Sequence, residues 1–155
     1  MALQIGQPAP AFKLFNTEKK EISLEDYKGK NVVVIFFPLA FTGVCTTELC
    51  NIRDNYNTYS SLNAVVLGIS VDSLFSLEEF KKQQNYNFDL LSDFNKTTST
   101  AYESIYGDFV LGMKGVSKRS AFVIDAKGIL QYVEVLEDAG KQPNFDAIKA
   151  CLEKL

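Results

Sequence analysis

The stretch VVVIFFPLAFTGVCTTELC, residues 32–50, combines a buried strand, an abrupt stop and the start of a helix. Residues 32–37 are β-branched or aromatic without polar alternation, which is typical of a central strand covered on both faces. Pro38 ends this run because proline cannot donate to a strand ladder. From Gly43 onward the residues suit a helix, so Cys45 is predicted in its first turn. Unpaired amide N–H groups and the positive helix end favour a thiolate there, which makes a cysteine reactive.

The rest of the chain alternates strand and helix patterns. Apolar runs and turn signals predict strands at residues 12–15, 21–24, 31–37, 64–71, 88–91, 120–125 and 129–136. Helical spacing predicts a short turn at 24–30 and helices at 43–60, 76–84, 97–106 and 145–155. Ser76 and Glu79 are spaced for a capping box. This order predicts an α/β, thioredoxin-like fold over residues 1–155, one domain whose mixed central β-sheet is flanked by helices on both faces.

The composition is that of an ordinary globular protein, and it excludes several functions. Hydrophobic residues make up 46% of the chain and charged residues 23%, so a packed core is expected. The net charge of −3 and the lack of a basic patch argue against a nucleic-acid partner. The chain contains no histidine, which excludes a histidine general base, a Cys–His pair and an imidazole zinc site. We therefore expect neither a metal nor another cofactor.

Targeting signals and cysteine usage bear on the compartment. No apolar run reaches the roughly 18–20 residues that span a bilayer, so no membrane association is expected. The opening MALQIGQPAPAF has no secretory signal pattern. The three cysteines Cys45, Cys50 and Cys151 are too few for a disulfide scaffold. We expect a cytoplasmic protein, because thiols are kept reduced there.

The spacing of Pro38, Thr42 and Cys45 resembles the P-x-x-x-T-x-x-C signature of the peroxiredoxins, which are thioredoxin-fold thiol peroxidases. Three further segments resemble that family, namely GQPAPAFKL at 6–14, GISVDS at 68–73 and KRSAFVID at 118–125. The wording PLAFTGVCTTEL is similar to the alkyl hydroperoxide reductase E type. A second cysteine five residues after the first is instead typical of the Q type, the bacterioferritin comigratory proteins.

The resemblance implies a role for each residue of a site. Cys45 is the expected peroxidatic nucleophile, which becomes a sulfenic acid as the peroxide bond breaks. Thr42 is expected to bring its hydroxyl near the thiolate and the peroxide, and Pro38 to shield the thiolate from water. Arg119 is expected to supply fixed positive charge to the thiolate and to the breaking bond. Glu48 stands where the family often has a glutamate that orients arginines.

Cys50 has two interpretations. The first is a helix residue that faces the core. The second, implied by the Q-type resemblance, is a resolving thiol that forms a disulfide with Cys45. Five residues along a helix turn about 500° and rise about 7.5 Å, which separates the Cα atoms by roughly 8–9 Å. A disulfide needs Cα atoms within about 7 Å, so the first turns of the helix have to unwind before the bond forms.

Three further residues also have two interpretations each. Cys151 is a core or interface residue of the last helix, or it is an alternative resolving thiol. Arg53 forms a surface ion pair, or it supports the active site from behind. Phe41 belongs to the core or to a shielding wall, or it shapes an apolar entrance for organic hydroperoxides.

These features predict a thiol peroxidase that reduces hydrogen peroxide and organic hydroperoxides through Cys45. Its disulfide with Cys50 is expected to be reduced by thioredoxin or a similar dithiol donor, and the chain to be a monomer or a homodimer. A thioredoxin-like disulfide oxidoreductase fits less well, because it needs C-x-x-C at the helix start. Two alternatives stay open, a one-cysteine peroxidase that uses an external thiol and a non-enzymatic thiol redox sensor.

Overall fold

A computed structural model describes residues 3–155, so the first two residues of the chain lie outside it. Within the described residues, seven strands form one sheet. In chain order they are β1 (Lys13–Asn16), β2 (Glu21–Ser23), β3 (Asn31–Phe36), β4 (Ala64–Ser70), β5 (Asp89–Ser92), β6 (Ser120–Ile124) and β7 (Leu130–Val135). Their order across the sheet is β2-β1-β5-β4-β3-β6-β7. The strands β3, β4 and β5 run parallel and the other neighbouring pairs run antiparallel, which confirms the predicted mixed sheet.

The helices differ from the prediction at several boundaries, and the helix predicted over 97–106 ends at Ala101. They are α1 (Gly43–Asp54), α2 (Tyr56–Ser61), α3 (Leu74–Gln84), α4 (Thr97–Ala101) and α5 (Phe145–Glu153), with 3-10 turns at Leu24–Tyr27 and Val110–Gly112. The prediction of one helix over 43–60 is wrong, because Asn55 leaves helical geometry (φ −112°, ψ 14°) and its side chain donates to the carbonyl of Asn51. The predicted cap at Ser76 is also wrong, because Ser73 Oγ accepts from the backbone N–H of Ser76. None of the helices in the described residues is long and apolar enough to cross a bilayer.

Side chains of β3 alternate between the two faces of the sheet, and both faces are covered. Val33 and Ile35 pack in one cluster with residues of α1, α2, α3 and α5. Val34 and Phe36 pack in a second cluster with Tyr102, which directly follows α4. Helices therefore cover both faces, although four of the five described helices share one. Burial stabilises by about 25 cal/mol per Å² of apolar surface, so a strand covered on both sides favours an unbroken apolar sequence.

The register of the sheet decides where the segments of the site meet. Strand β3 ends at Phe36, which pairs with Ser120 at the start of the antiparallel strand β6. Arg119, one residue before β6, therefore lies beside the loop that joins β3 to α1. Strand β4 is parallel to β3, so its carboxyl end at Ser70 reaches the same edge of the sheet. Three segments that are distant in sequence converge at this edge.

Candidate active site

Cys45 lies in the first turn of α1, as predicted, and its side chain is buried. Thr42 occupies the N-cap position of that helix with extended backbone (φ −89°, ψ 153°). Arg119 meets Cys45 at the sheet edge, where its Nη2 donates a hydrogen bond to Cys45 Sγ over 3.1 Å. The two residues are only 1% and 2% exposed. A charge-assisted hydrogen bond is stronger in such a dry environment than it is in water.

The guanidinium of Arg119 is held by two further acceptors. Its Nη1 donates to Glu48 Oε1 over 2.8 Å, and its Nε donates to the carbonyl of Ala139 over 2.8 Å. These bonds fix the plane of the guanidinium, because its donors are arranged in a rigid fork. Burial alone lowers the pKa of Arg119, but Glu48 and Cys45 raise it above the ordinary value. The group therefore stays positively charged beside the sulfur.

Glu48 is fully buried and lies one turn after Cys45 on α1. Its Oε2 has no hydrogen-bond partner within the part of the chain that the structure describes. Burial raises the pKa of Glu48 to about 8, and the neighbouring Arg119 limits that rise. Burial thus favours the protonated carboxyl group, whereas the guanidinium 2.8 Å away favours the carboxylate.

The loop over residues 37–42 carries two of the predicted site residues. Pro38 is buried at the end of β3. The hydroxyl of Thr42 donates to the carbonyl of Leu39 over 2.9 Å, and the carbonyl of Thr42 accepts from the backbone N–H of Thr46. Thr42 thus joins the loop to the helix start. Its hydroxyl proton points to Leu39 and not to Cys45 in this structure, and its oxygen keeps the capacity to accept a hydrogen bond.

Asp72 supports the same loop, and the sequence interpretation missed it. Its Oδ2 accepts from the backbone N–H of Ala40 over 2.8 Å and from Ser70 Oγ over 2.6 Å. These bonds tie the loop over residues 37–42 to the carboxyl end of β4. A signal was present, because Asp72 follows β4 by two residues and the carboxyl ends of parallel strands meet at one edge.

Cys50 lies on α1 outside the contacts of Arg119. It is half-buried, and its Sγ lies 3.6 Å from Gln84 Oε1 and 3.8 Å from the hydroxyl of Tyr86. Cys45 and Cys50 are both free thiols. The structure therefore shows the reduced protein with α1 wound from its first turn.

The residues with two interpretations have contacts of their own. Cys151 is half-buried on α5, its Sγ lies 3.6 Å from a carbonyl of β7, and burial raises the pKa of its thiol. Arg53 donates through Nη1 to the carbonyl of Gln84 over 2.6 Å, so it braces α1 against the end of α3. Phe41 is 51% exposed with its ring 5.0 Å from that of Phe80, so it is a surface residue beside the loop and not a core residue.

The arrangement is suited to nucleophilic substitution at a group with a poor leaving atom. The sulfur of Cys45 can act as a nucleophile, because it sits at a helix N-terminus beside a fixed positive charge. The guanidinium of Arg119 can stabilise negative charge that develops on a leaving oxygen, since it is already oriented before the reaction. Nothing in this chemistry requires a histidine.

Comparison with known proteins agrees with this geometry. The sequence profile of the AhpC/TSA family matches residues 5–133. The chain belongs to this family of peroxiredoxins. Peroxiredoxin Bcp of Bacillus subtilis (strain 168) is 36% identical over 132 residues, which cover 84% of this chain and 83% of the relative. The mitochondrial thioredoxin-dependent peroxide reductase of Drosophila melanogaster is 37% identical over 144 residues, which cover 86% of this chain and 59% of the relative.

A solved structure extends the match over nearly the whole peroxiredoxin. The crystal structure of peroxidoxin BcpB from Mycobacterium tuberculosis superposes with a TM-score of 0.87 at 26% sequence identity. The match covers 99% of this chain and 98% of that one. The predicted family, the thioredoxin-like fold and the activity class are confirmed. This peroxiredoxin is an oxidoreductase that reduces peroxides with a thiol.

Removal of the Asp72 carboxylate tests whether it positions the active-site loop. In Asp72→Ala the N–H of Ala40 loses its acceptor, and a shift of about 1 Å in a reacting group can cost roughly 100-fold in rate. We expect the second-order rate constant for hydrogen peroxide, measured by competition kinetics, to fall by about 10- to 100-fold. Asp72→Asn, which keeps a carbonyl acceptor, should recover part of the loss.

The matched control for that experiment is Asp26→Ala. Asp26 also accepts one backbone N–H bond, from Ser23, in the 3-10 turn Leu24–Tyr27, which precedes β3 whereas the loop follows it. The rate constant of Asp26→Ala for hydrogen peroxide should equal that of the parent protein. A parent-like rate in Asp72→Ala as well would show that the loop does not depend on this carboxylate.

The buried carboxyl group of Glu48 predicts a pH-dependent stability. The folded protein holds this proton up to about pH 8, while the unfolded chain releases it near the ordinary value of 4.5. The stabilisation that protonated Glu48 adds to the free energy of unfolding is thus fully present below pH 4.5. It is lost as the pH rises through about 8, by at most about 1.4 kcal/mol per pH unit. In urea unfolding of the reduced protein between pH 5 and 8, Glu48→Gln should lose less free energy of unfolding than the parent. Parallel pH profiles of the two proteins would contradict the assignment of a proton to Glu48.

Proposed function

We propose that Cys45 is the peroxidatic nucleophile of this peroxiredoxin. The thiolate attacks one peroxide oxygen, the S–O bond forms as the O–O bond breaks, and the leaving hydroxide or alkoxide takes up a proton. The product is a sulfenic acid on Cys45. The observation that carries this proposal is the 3.1 Å hydrogen bond from Arg119 Nη2 to Cys45 Sγ, because it joins the sulfur to a fixed charge in a buried site.

The other predicted site residues act around that bond in the proposed reaction. Arg119 stabilises the charge that develops on the leaving oxygen. Glu48 holds the guanidinium plane through its 2.8 Å bond to Nη1. Thr42 offers its hydroxyl oxygen to the peroxide, and Pro38 excludes water from the sulfur. We also propose that residues 1–155 act as one catalytic domain, a proposal supported by the packing of the described helices on a single sheet.

The proposed second step uses Cys50 as the resolving thiol. The Cys45 sulfenic acid condenses with the Cys50 thiol, which gives a disulfide and releases water. The position of both cysteines on α1 and the partial exposure of Cys50 support this step. The separation of five helical residues requires α1 to unwind first. The one-cysteine alternative has support too, because the Cys50 thiol has hydrogen-bonding contacts with Gln84 and Tyr86.

We propose thioredoxin, or a similar dithiol protein, as the reductant of that disulfide. The relative from Drosophila melanogaster is named a thioredoxin-dependent peroxide reductase, which supports this choice. The proposed substrates are hydrogen peroxide and organic hydroperoxides, whose apolar groups Phe41 can contact at the surface beside the loop. We propose a cytoplasmic monomer or homodimer without nucleic-acid or membrane partners, since three cysteines are too few for the disulfide scaffold of a small secreted protein.

Treatment of the reduced protein with one equivalent of hydrogen peroxide tests both steps by intact mass. We expect a loss of two hydrogens that maps to a peptide containing Cys45 and Cys50. Cys45→Ser should not react, because the nucleophile is absent. Cys50→Ser should accumulate a sulfenic acid on Cys45 that a sulfenic-acid trap captures.

The matched control is Cys151→Ser, which should form the same disulfide as the parent. Formation of a disulfide that contains Cys151 would show that Cys151, and not Cys50, is the resolving residue. A trapped sulfenic acid in the parent, with no disulfide, would establish the one-cysteine alternative. Oxidation of Cys45→Ser at the parent rate would remove Cys45 as the nucleophile.

A further inference from the structure

One face of α1 docks on residues 84–87, a connection made of the last residue of α3 and the residues that follow it. Measured around the helix from Cys45 at 100° per residue, Arg53 lies at about 80°, Thr46 at about 100° and Cys50 at about 140°. These three residues therefore form a stripe about 60° wide. The direction of Cys45, which contacts Arg119, lies outside this stripe.

Each residue of the stripe has a partner on that connection. The hydroxyl of Tyr86 donates to the carbonyl of Thr46 over 3.4 Å and lies 3.8 Å from Cys50 Sγ. The thiol of Cys50 also donates to Gln84 Oε1 over 3.6 Å. Arg53 extends the docking by donating through Nη1 to the carbonyl of Gln84 over 2.6 Å. Tyr86 is thus the residue that touches both the first turns of α1 and the second cysteine.

The ring of Tyr86 is buried against two other aromatic rings. Tyr86 is 4% exposed, with its ring 5.2 Å from that of Phe80 and 5.4 Å from that of Phe88. Burial and the neighbouring Cys50 raise the pKa of its hydroxyl, which therefore keeps its proton and remains a donor. The ring of Phe80 also contacts Phe41 in the active-site loop. The hydroxyl of Tyr86 is accordingly a fixed point against which α1 is positioned.

Disulfide formation has to break these contacts. Thr46 lies between the two cysteines in sequence, so its carbonyl moves away from Tyr86 when the first turns of α1 unwind. Cys50 has to leave Gln84 and Tyr86 before its sulfur can reach Cys45. The contacts exist only in the wound helix, and they therefore stabilise it against the unwound form that the disulfide requires.

We propose that Tyr86 is a positioning residue that holds α1 wound around the sulfenic acid of Cys45 and so slows the attack of Cys50. The proposal rests on the proposed function, because it needs Cys50 as the resolving thiol. Two reactions then compete for the sulfenic acid. Attack by Cys50 gives the disulfide and water, whereas a second hydrogen peroxide oxidises the sulfur to a sulfinic acid and is itself reduced to water. Tyr86 sets the balance between them.

The test removes only the hydroxyl, in Tyr86→Phe, and keeps the ring between Phe80 and Phe88. Reduced protein is mixed with hydrogen peroxide, quenched with acid at successive times, and analysed by intact mass. The disulfide should form faster than in the parent by about two- to tenfold, which corresponds to the loss of one ordinary hydrogen bond. At excess peroxide the fraction of sulfinic acid should fall by a similar factor. A change that only slowed the attack of Cys45 on peroxide would leave this ratio unchanged, because both products come from the same sulfenic acid.

The matched control is Tyr102→Phe, another buried tyrosine whose hydroxyl donates to the carbonyl of Pro10 on the other face of the sheet. It should keep the parent ratio of disulfide to sulfinic acid. A second variant, Gln84→Met, removes the acceptor of the Cys50 thiol and should shift the ratio in the same direction as Tyr86→Phe.

The outcomes separate this inference from the proposed function. If the parent forms no disulfide between Cys45 and Cys50, the resolving step and the role of Tyr86 are both overturned. If the parent forms it and Tyr86→Phe behaves like Tyr102→Phe, only the role of Tyr86 is overturned. A slower disulfide step in Tyr86→Phe would also overturn that role, because it would mean that the hydroxyl assists the attack of Cys50.

Discussion

The site depends on one buried guanidinium that serves three acceptors. Arg119 joins the sulfur of Cys45, the carboxyl group of Glu48 and the carbonyl of Ala139, and so ties α1 to β6 and to the loop after β7. A charge buried in this way costs free energy unless it is paired and hydrogen-bonded. The raised pKa of Glu48 matters for the same reason, because a second full negative charge would compete with the sulfur for one cation. The guanidinium thus connects the sulfur of Cys45 to three segments of the fold through one set of hydrogen bonds.

The second constraint is the helix that carries both cysteines. An α-helix keeps residues five apart too distant for a disulfide, so the conformation that suits peroxide is different from the one that suits resolution. The wound form keeps Cys45 beside Arg119 and docks Cys50 against Gln84 and Tyr86. If Tyr86 holds α1 wound as proposed, the strength of these contacts sets the rate of disulfide formation. That rate determines how long the sulfenic acid on Cys45 persists. The same helix therefore links the chemistry of the first step to the timing of the second.

Much of the fold could be predicted from local patterns, because unbroken apolar runs such as residues 32–37 have few alternatives to a central strand. The break at Asn55 could not be predicted, since a side chain that bonds its own backbone interrupts the helical period without changing the apolar pattern. Capping at Ser73 was missed because Ser76, and not Ser73, has a glutamate three residues later. Such boundaries depend on tertiary packing and not on the local sequence alone.

The residues of the site also differ in how far the sequence could predict them. Cys45 could be placed by physical reasoning alone, because a strand, a proline and a helix start surround it. Arg119 lies 74 residues further on, and in the sequence only the family resemblance linked it to Cys45. In the structure the pairing of β3 with β6 brings the two residues together. Asp72 and Tyr86 act through contacts that exist only in the folded protein, with a backbone N–H and a backbone carbonyl. Backbone partners belong to no sequence motif, so only the position of Asp72 just after β4 could have indicated its role.

The most direct test of the central claim compares two reactions of Cys45 in Arg119→Lys. Hydrogen peroxide needs the oriented guanidinium for its leaving oxygen, whereas iodoacetamide needs only a thiolate because iodide leaves readily. We expect the rate constant for peroxide to fall by about 100- to 1,000-fold, which is the usual cost of losing one transition-state donor. The rate constant for iodoacetamide should fall by less than about tenfold. Equal losses in the two rate constants would contradict this prediction, since Arg119 would then act only on the ionisation of the thiol.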